Sequence, residues 1–126
     1  MEKRKFPRVR LSANSTLSNE DAVYQGYLEN ISLSGALIRF GQSVDAPLSG
    51  EYSLTVYIED EDVPLRIIVE VVCATYTLTG IKFLFFEADV EGRLQQLVRK
   101  ITSEQLRLRR ERERFQKYFG DFLREH

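Results

Sequence analysis

Short apolar-rich runs separated by turn residues fill the first 88 positions, and the pattern changes abruptly after Phe86. Residues 22–31 (AVYQGYLENI), 36–40 (ALIRF), 51–59 (EYSLTVYIE), 64–76 (PLRIIVEVVCATY) and 79–86 (TGIKFLFF) are rich in Val, Ile, Tyr, Phe and Thr. These side chains suit a pleated, half-buried surface, so each run predicts a strand. A further short strand is predicted within residues 8–18 (RVRLSANSTLS). Turn chemistry bounds the runs: DAPLSG over 45–50, the acidic EDEDVP over 59–64 and YTLTG over 76–80. Strand follows strand without a helical pattern between them, which predicts a mostly antiparallel sheet. Six short strands of this kind favour a small barrel or sandwich. Phe83, Phe85 and Phe86 all read as core residues.

Beyond Phe86 the chain is rich in helix formers. Asp89 is the expected N-cap. Leu94, Leu97, Val98 and Ile101 form one apolar stripe at helical spacing. TSEQ (102–105) has the form of a capping box, so a second helix is expected to begin there, with Gly120 interrupting or ending it. Leu94, Ile101, Leu108, Phe115 and Phe122 recur at seven-residue spacing, but the matching second positions include Glu104 and Glu111. The result is an incomplete coiled-coil seam. About thirty helical residues run roughly 45 Å, whereas a body of about ninety residues is only about 30 Å across. The distal part must overhang, and Phe115, Tyr118, Phe119, Phe122 and Leu123 need cover. A helical homo-oligomer contact is the expectation. The alternative is one amphipathic helix packed by its first three turns, with a solvated charged end.

The 126 residues are 43% apolar and 29% charged, which bounds the chain to one soluble globular domain. No apolar run approaches the ~20 residues of a membrane span, and the basic leader MEKRKFPRVR has no apolar stretch behind it, unlike a secretory signal. Cys73 is the only cysteine, so no internal disulfide forms, which fits a reducing, cytoplasmic setting. Within RIIVEVVCAT it reads as a small core hydrophobe.

Charge is unevenly spread. Residues 1–10 carry five cations against one acid, residues 11–88 three against eleven, and residues 89–126 ten against seven. An acidic body with a basic arm argues against a duplex binder, which neutralises many phosphates with a broad basic face. No aromatic-rich basic strand offers a stacking platform for single strands. In LRLRRERER (106–114) Glu111 and Glu113 interleave the arginines, and Glu113 lies four residues before Lys117, so a solvated helix face or an oligomer contact is the better reading. Catalysis is not expected either. The only histidine is His126, the lone cysteine has no nearby base, and no phosphate loop is present. The acids of EDED (59–62) read as solubilising. No catalytic residue, metal site or cofactor is therefore assigned.

Two short stretches carry the functional signal. RKFPR (4–8) places two arginines four apart, with Pro7 stiffening the arm against helix formation. Guanidinium groups bond bidentately to the O6 and N7 edge of guanine, stack on purines and clamp phosphates. NISLSG (30–35) supplies the amide of Asn30, the hydroxyls of Ser32 and Ser34, and Gly35, beside which a ring or backbone can approach closely. Together these groups suit a small guanine nucleotide with few phosphates. The serines, Gly35 and Asn30 also read as a strand-connecting turn, and the two roles are compatible. Lys3, Lys5 and Arg10 read as part of a solvated tail.

RKFPR resembles the RxxxR signature of PilZ domains, and NISLSG resembles their [D/N]xSxxG signature. TGIKF (79–83) is similar to the Gly-hydrophobe-x-Phe strand near the end of that barrel. The resemblance covers about residues 3–100. It implies a mainly β fold: a six-stranded antiparallel PilZ-type β-barrel over residues 11–88, a basic ligand-binding arm over 1–10 and a C-terminal helical extension over 89–126. It further implies binding of the bacterial second messenger cyclic di-GMP, with Arg4 and Arg8 holding guanines and phosphates and Asn30, Ser32 and Gly35 completing the pocket. Asn30 stands where Asp is commoner, which removes a charge. Lys3, just ahead of the arginine motif, is implied to bear on whether one ligand or a stacked pair binds, and a cation there leans toward the pair. The expected mechanism is an arm whose ordering over the ligand is read by a partner protein. The alternatives are a PilZ-like protein–protein adaptor that binds no cyclic di-GMP, or a receptor for another cyclic dinucleotide.

Overall fold

The computed structural model describes residues 8–40, 50–75 and 77–125. Six strands precede one helix: β1 (Val9–Ser18), β2 (Val23–Ile31), β3 (Gly35–Phe40), β4 (Glu51–Tyr57), β5 (Leu65–Ala74), β6 (Leu78–Phe86) and α1 (Val90–Glu125). The strands close into an antiparallel barrel in the order β1-β2-β3-β6-β5-β4. The β1–β4 pairing, Ser15↔Val56 and Leu17↔Leu54 among its registers, seals the ring and leaves no open edge. All six strands match the sequence reading, with ends shifted by one or two residues.

The barrel forms because alternate residues are apolar. In β4, Tyr52, Leu54 and Val56 are buried while Glu51, Ser53 and Tyr57 are exposed. Leu17, Leu28, Ile38, Leu54, Val56, Ile67 and Val69 from five of the strands meet in the interior, essentially inaccessible to water. Each such side chain contributes about 1.5–3 kcal/mol relative to an exposed one.

Bulges break this alternation, and two residues differ from the sequence reading because of them. Cys73, expected in the core, is exposed. The β5–β6 register shifts between Val71 and Cys73, so Val71 faces inward and the residues after it do not. Cys73 instead lies over Gly80, where a Cβ would stand 2.8 Å from its Sγ. Phe85 is also exposed, at 64%. A second shift, between Ile68 and Val69, makes Leu84 the extra residue, so Phe83 points in and Phe85 out. Phe86 turns back toward the core and meets Phe83 edge to face, ring centroids 5.7 Å apart.

The helix is anchored by the expected stripe. Val90, Leu94 and Val98 are buried, and Leu97 and Ile101 pack partly against the same cluster. The Asp89 carbonyl accepts from the Arg93 N–H at 3.0 Å, which puts Asp89 at the expected start. Arg93 clamps this first turn to the β4–β5 turn. Its Nη2 donates to the Val63 carbonyl at 2.5 Å and to the Glu61 carboxylate at 3.4 Å.

The second helix expected at Thr102 does not exist. The Thr102 hydroxyl donates to the Val98 carbonyl one turn back (2.7 Å), a bond made inside a continuing helix. Gly120 likewise does not end α1, which runs on to Glu125. One helix glycine costs only about 1 kcal/mol, too little to break a segment of strong helix formers. Residues 103–119 are all exposed, so a helix of 36 residues, about 54 Å long, overhangs the barrel as expected. No described helix is long and apolar enough to cross a membrane.

Candidate functional site

Two bulges coincide on the outer face of the β1-β2-β3 half of the barrel. Between β1 and β2 the register shifts between Arg10 and Ala13, so Leu11 and Ser12 together oppose Glu29. Between β2 and β3 it shifts between Leu28 and Asn30, which leaves Glu29 without a partner on that side. Bulges bend a strand and re-aim its side chains. Leu28 and Ile31 are both buried although three residues apart, and the two residues between them, Glu29 and Asn30, are both left half-buried. An open cleft of about 970 Å³ lies over this point, within the size range of small-molecule sites.

Most of the residues around it are polar, although their apolar atoms form about half of its wall. Arg10, Ser12 and Asn14 line it from β1, Gln25, Tyr27, Glu29 and Asn30 from β2, and Arg39 from β3. Arg39 Nε donates to Glu29 Oε1 at 2.6 Å, joining the two strands across the floor. Tyr27 sits opposite Arg39 in the ladder and is 59% exposed. Asn30 Oδ1 is buried with no donor in reach among the described residues, a cost unless something donates to it.

The residues singled out from sequence separate into four groups. Lys3 and Arg4 lie outside the described residues. Arg8 is exposed, one residue ahead of β1, and one further step of the Arg10↔Asn30, Val9↔Ile31 register sets it level with Ser32. Asn30 lines the cleft. Ser32 and Gly35 do not. Ser32 is buried, and its hydroxyl oxygen accepts from the Ser34 N–H (3.1 Å) and the Gly35 N–H (3.3 Å). Its backbone N–H donates to the Gly35 carbonyl at 2.9 Å. Ser32 thus holds the β2–β3 turn in shape. Gly35 is required by close approach, but of the protein's own backbone: a Cβ there would stand 2.3 Å from the Ile81 carbonyl oxygen on β6.

Sequence reasoning missed Arg10, Tyr27, Glu29 and Arg39. A signal was present in β2, where Gln25, Tyr27 and Glu29 recur every second residue and therefore share the outer face of a strand.

A sequence model of the PilZ domain matches residues 2–100 of the chain. The chain belongs to the PilZ domain family. No curated protein matches it by sequence. Among solved structures, the PilZ domain is similar to Escherichia coli YcgR in complex with c-di-GMP, at TM-score 0.72 and 14% identity, over 87% of this chain and 50% of that one. The isolated PilZ domain of YcgR with c-di-GMP gives 0.67 and 14%, over 82% and 94%. The Bacillus subtilis inhibitor of motility MotI/DgrA gives 0.68 and 13%, over 85% and 53%. This PilZ chain spans about half the length of MotI/DgrA and of whole YcgR. At these identities the likeness is one of fold.

Proposed function

We propose that the chain is a cytoplasmic receptor for cyclic di-GMP that passes its signal to a partner protein. The observation that carries this reading is the cleft beside the NISLSG turn, lined by Arg10 and Asn30, with Arg8 two residues ahead of Arg10 on the chain, in a member of the PilZ family. Membership of that family and a fold shared with c-di-GMP complexes support it.

In this reading the cations of the leader, Lys3, Arg4 and Arg8, and the β1 residue Arg10 meet the two phosphates and the O6/N7 edges of the guanines. The Asn30 amide bonds a base. Ser32 and Gly35 contribute by fixing the turn that presents Asn30. The leader closes over the ligand, and its new position is what the partner reads. The overhanging end of α1 joins a second copy of the chain. No chemistry is performed on the ligand.

Calorimetry with cyclic di-GMP tests the proposal. The wild-type chain is expected to bind, and Arg8→Ala to weaken binding at least about tenfold, the size of one lost charge-assisted bond, with an unchanged melting temperature. No binding by the wild-type chain would overturn the cyclic di-GMP reading and leave the adaptor or a receptor for another cyclic dinucleotide.

A further inference from the structure

Among the described residues that line the cleft, Glu29 is the only anion. Its neighbour Asn30 is neutral, so the turn motif itself brings no charge. Strict alternation after the inward-facing Leu28 would turn Asn30 toward the core. The bulge instead leaves both residues on the cleft wall. Glu29 Oε1 is held by Arg39 Nε at 2.6 Å, while Oε2 accepts no hydrogen bond from any described residue. The carboxylate is therefore oriented by one oxygen and open at the other. Tyr27, directly across the ladder from Arg39, presents an exposed ring beside it.

We infer that Glu29 is the residue that selects guanine over adenine in this cleft, with Arg39 as its positioning residue and Tyr27 as the face on which the base stacks. The inference rests on the cyclic dinucleotide reading above and deepens it. Guanine presents two adjacent donors on its Watson–Crick edge, N1–H and the 2-amino group, and an anionic carboxylate accepts from such donors. Adenine presents an acceptor at N1 and no 2-amino group, so the same carboxylate faces a lone pair and is left unsatisfied. A site built to pair with a donor rejects the analogue that lacks it more strongly than any shape difference would. The neutral amide of Asn30 discriminates less, because an amide offers both donor and acceptor and turns to suit either base.

The test is calorimetry with cyclic di-GMP and cyclic di-AMP on wild type, Glu29→Gln and Glu29→Asp, with a melting curve for each. In the wild type, cyclic di-GMP is expected to bind more tightly. In E29Q the ratio of the two affinities should fall at least about tenfold, mainly through weaker cyclic di-GMP binding. E29D keeps the charge and should keep most of the ratio. A wild-type protein that binds neither compound overturns the receptor reading. A wild type that discriminates, with the same ratio in E29Q, overturns the Glu29 assignment alone. A loss in E29D as large as in E29Q, with both proteins folded, shows that a negative charge at this position does not set the ratio and overturns the charge argument.

Discussion

Replacing Gly35 by Ala separates two explanations of the glycine that closes the turn motif: room for a ligand, or room for the sheet. The added methyl carbon would lie 2.3 Å from the Ile81 carbonyl oxygen, and real Cβ contacts essentially never fall below 3.0 Å. The obstacle is backbone on a paired strand, so no side chain can swing aside. β3 must move by most of an ångström at its first residue, where Gly35 pairs with Lys82 and Ala36 with Ile81. The Phe83 N–H to Ser34 carbonyl bond, 2.9 Å, crosses the same seam. Losing two or three such bonds at about 1 kcal/mol each, with some strain, gives a cost of about 2–4 kcal/mol. At roughly 4 °C per kcal/mol for a chain of this size, the melting temperature should fall by about 8–15 °C. Circular dichroism melts and urea titrations measure this directly. A G35A protein that melts within about 2 °C of wild type would refute the close-approach argument. If that same protein had lost cyclic di-GMP, the glycine would serve the ligand.

Leu94 is wholly buried between α1 and the barrel, so Leu94→Ala should cost about 2–5 kcal/mol and lower the melting temperature accordingly; a change under about 1 kcal/mol in urea titration would show that the helix adds little. Burial, with smaller contributions from Tyr24 and Asp21, raises the Tyr52 phenol above its usual value, near 10. Its folded form therefore keeps the proton longer than the unfolded chain. This contribution is fully present below about pH 10 and is lost as pH climbs through the raised value. Stability curves across the alkaline range should fall less steeply in Tyr52→Phe, and parallel curves would contradict the assignment. For the overhanging helix, Phe115 and Phe119 stack with ring centroids 6.0 Å apart and are both exposed. Light scattering is expected to give a concentration-dependent mass above the 14.7 kDa of one chain, reduced by Phe115→Glu; a monomer mass at every concentration would remove the oligomer.

Much of the fold was legible because each strand carries its own local pattern. Runs such as EYSLTVY need only period two and flanking turns to be placed, and antiparallel closure follows from having no helix to make a crossover. The anchoring stripe of α1, from Leu94 to Ile101, was legible for the same reason at the helical period. The helix boundaries were not. TSEQ has the composition of a cap, yet a cap forms only where the preceding chain leaves the helix, and the Val98–Ile101 turn is held against the barrel in helical form. Packing of one segment decided the role of the next.

The errors in the core share one cause. A bulge changes which face every later residue takes, and it arises from how two strands meet, which neither strand records alone. Cys73 and Phe85 were assigned to the core as apolar residues within strand-forming runs, and the register shifts turn both outward. Glu29 lay on the outer face by simple alternation with Gln25 and Tyr27 and was passed over because it belongs to no motif; the bulge adds Asn30 to the same face. Within NISLSG, Ser32 and Gly35 hold the turn, and the groups that face the adjoining cleft come from β1, β2 and β3. A motif of this kind marks where the barrel is bent. What the bend presents is set by the side chains around it, in this chain Tyr27, Glu29 and Arg39, and not by the residues that hold the turn.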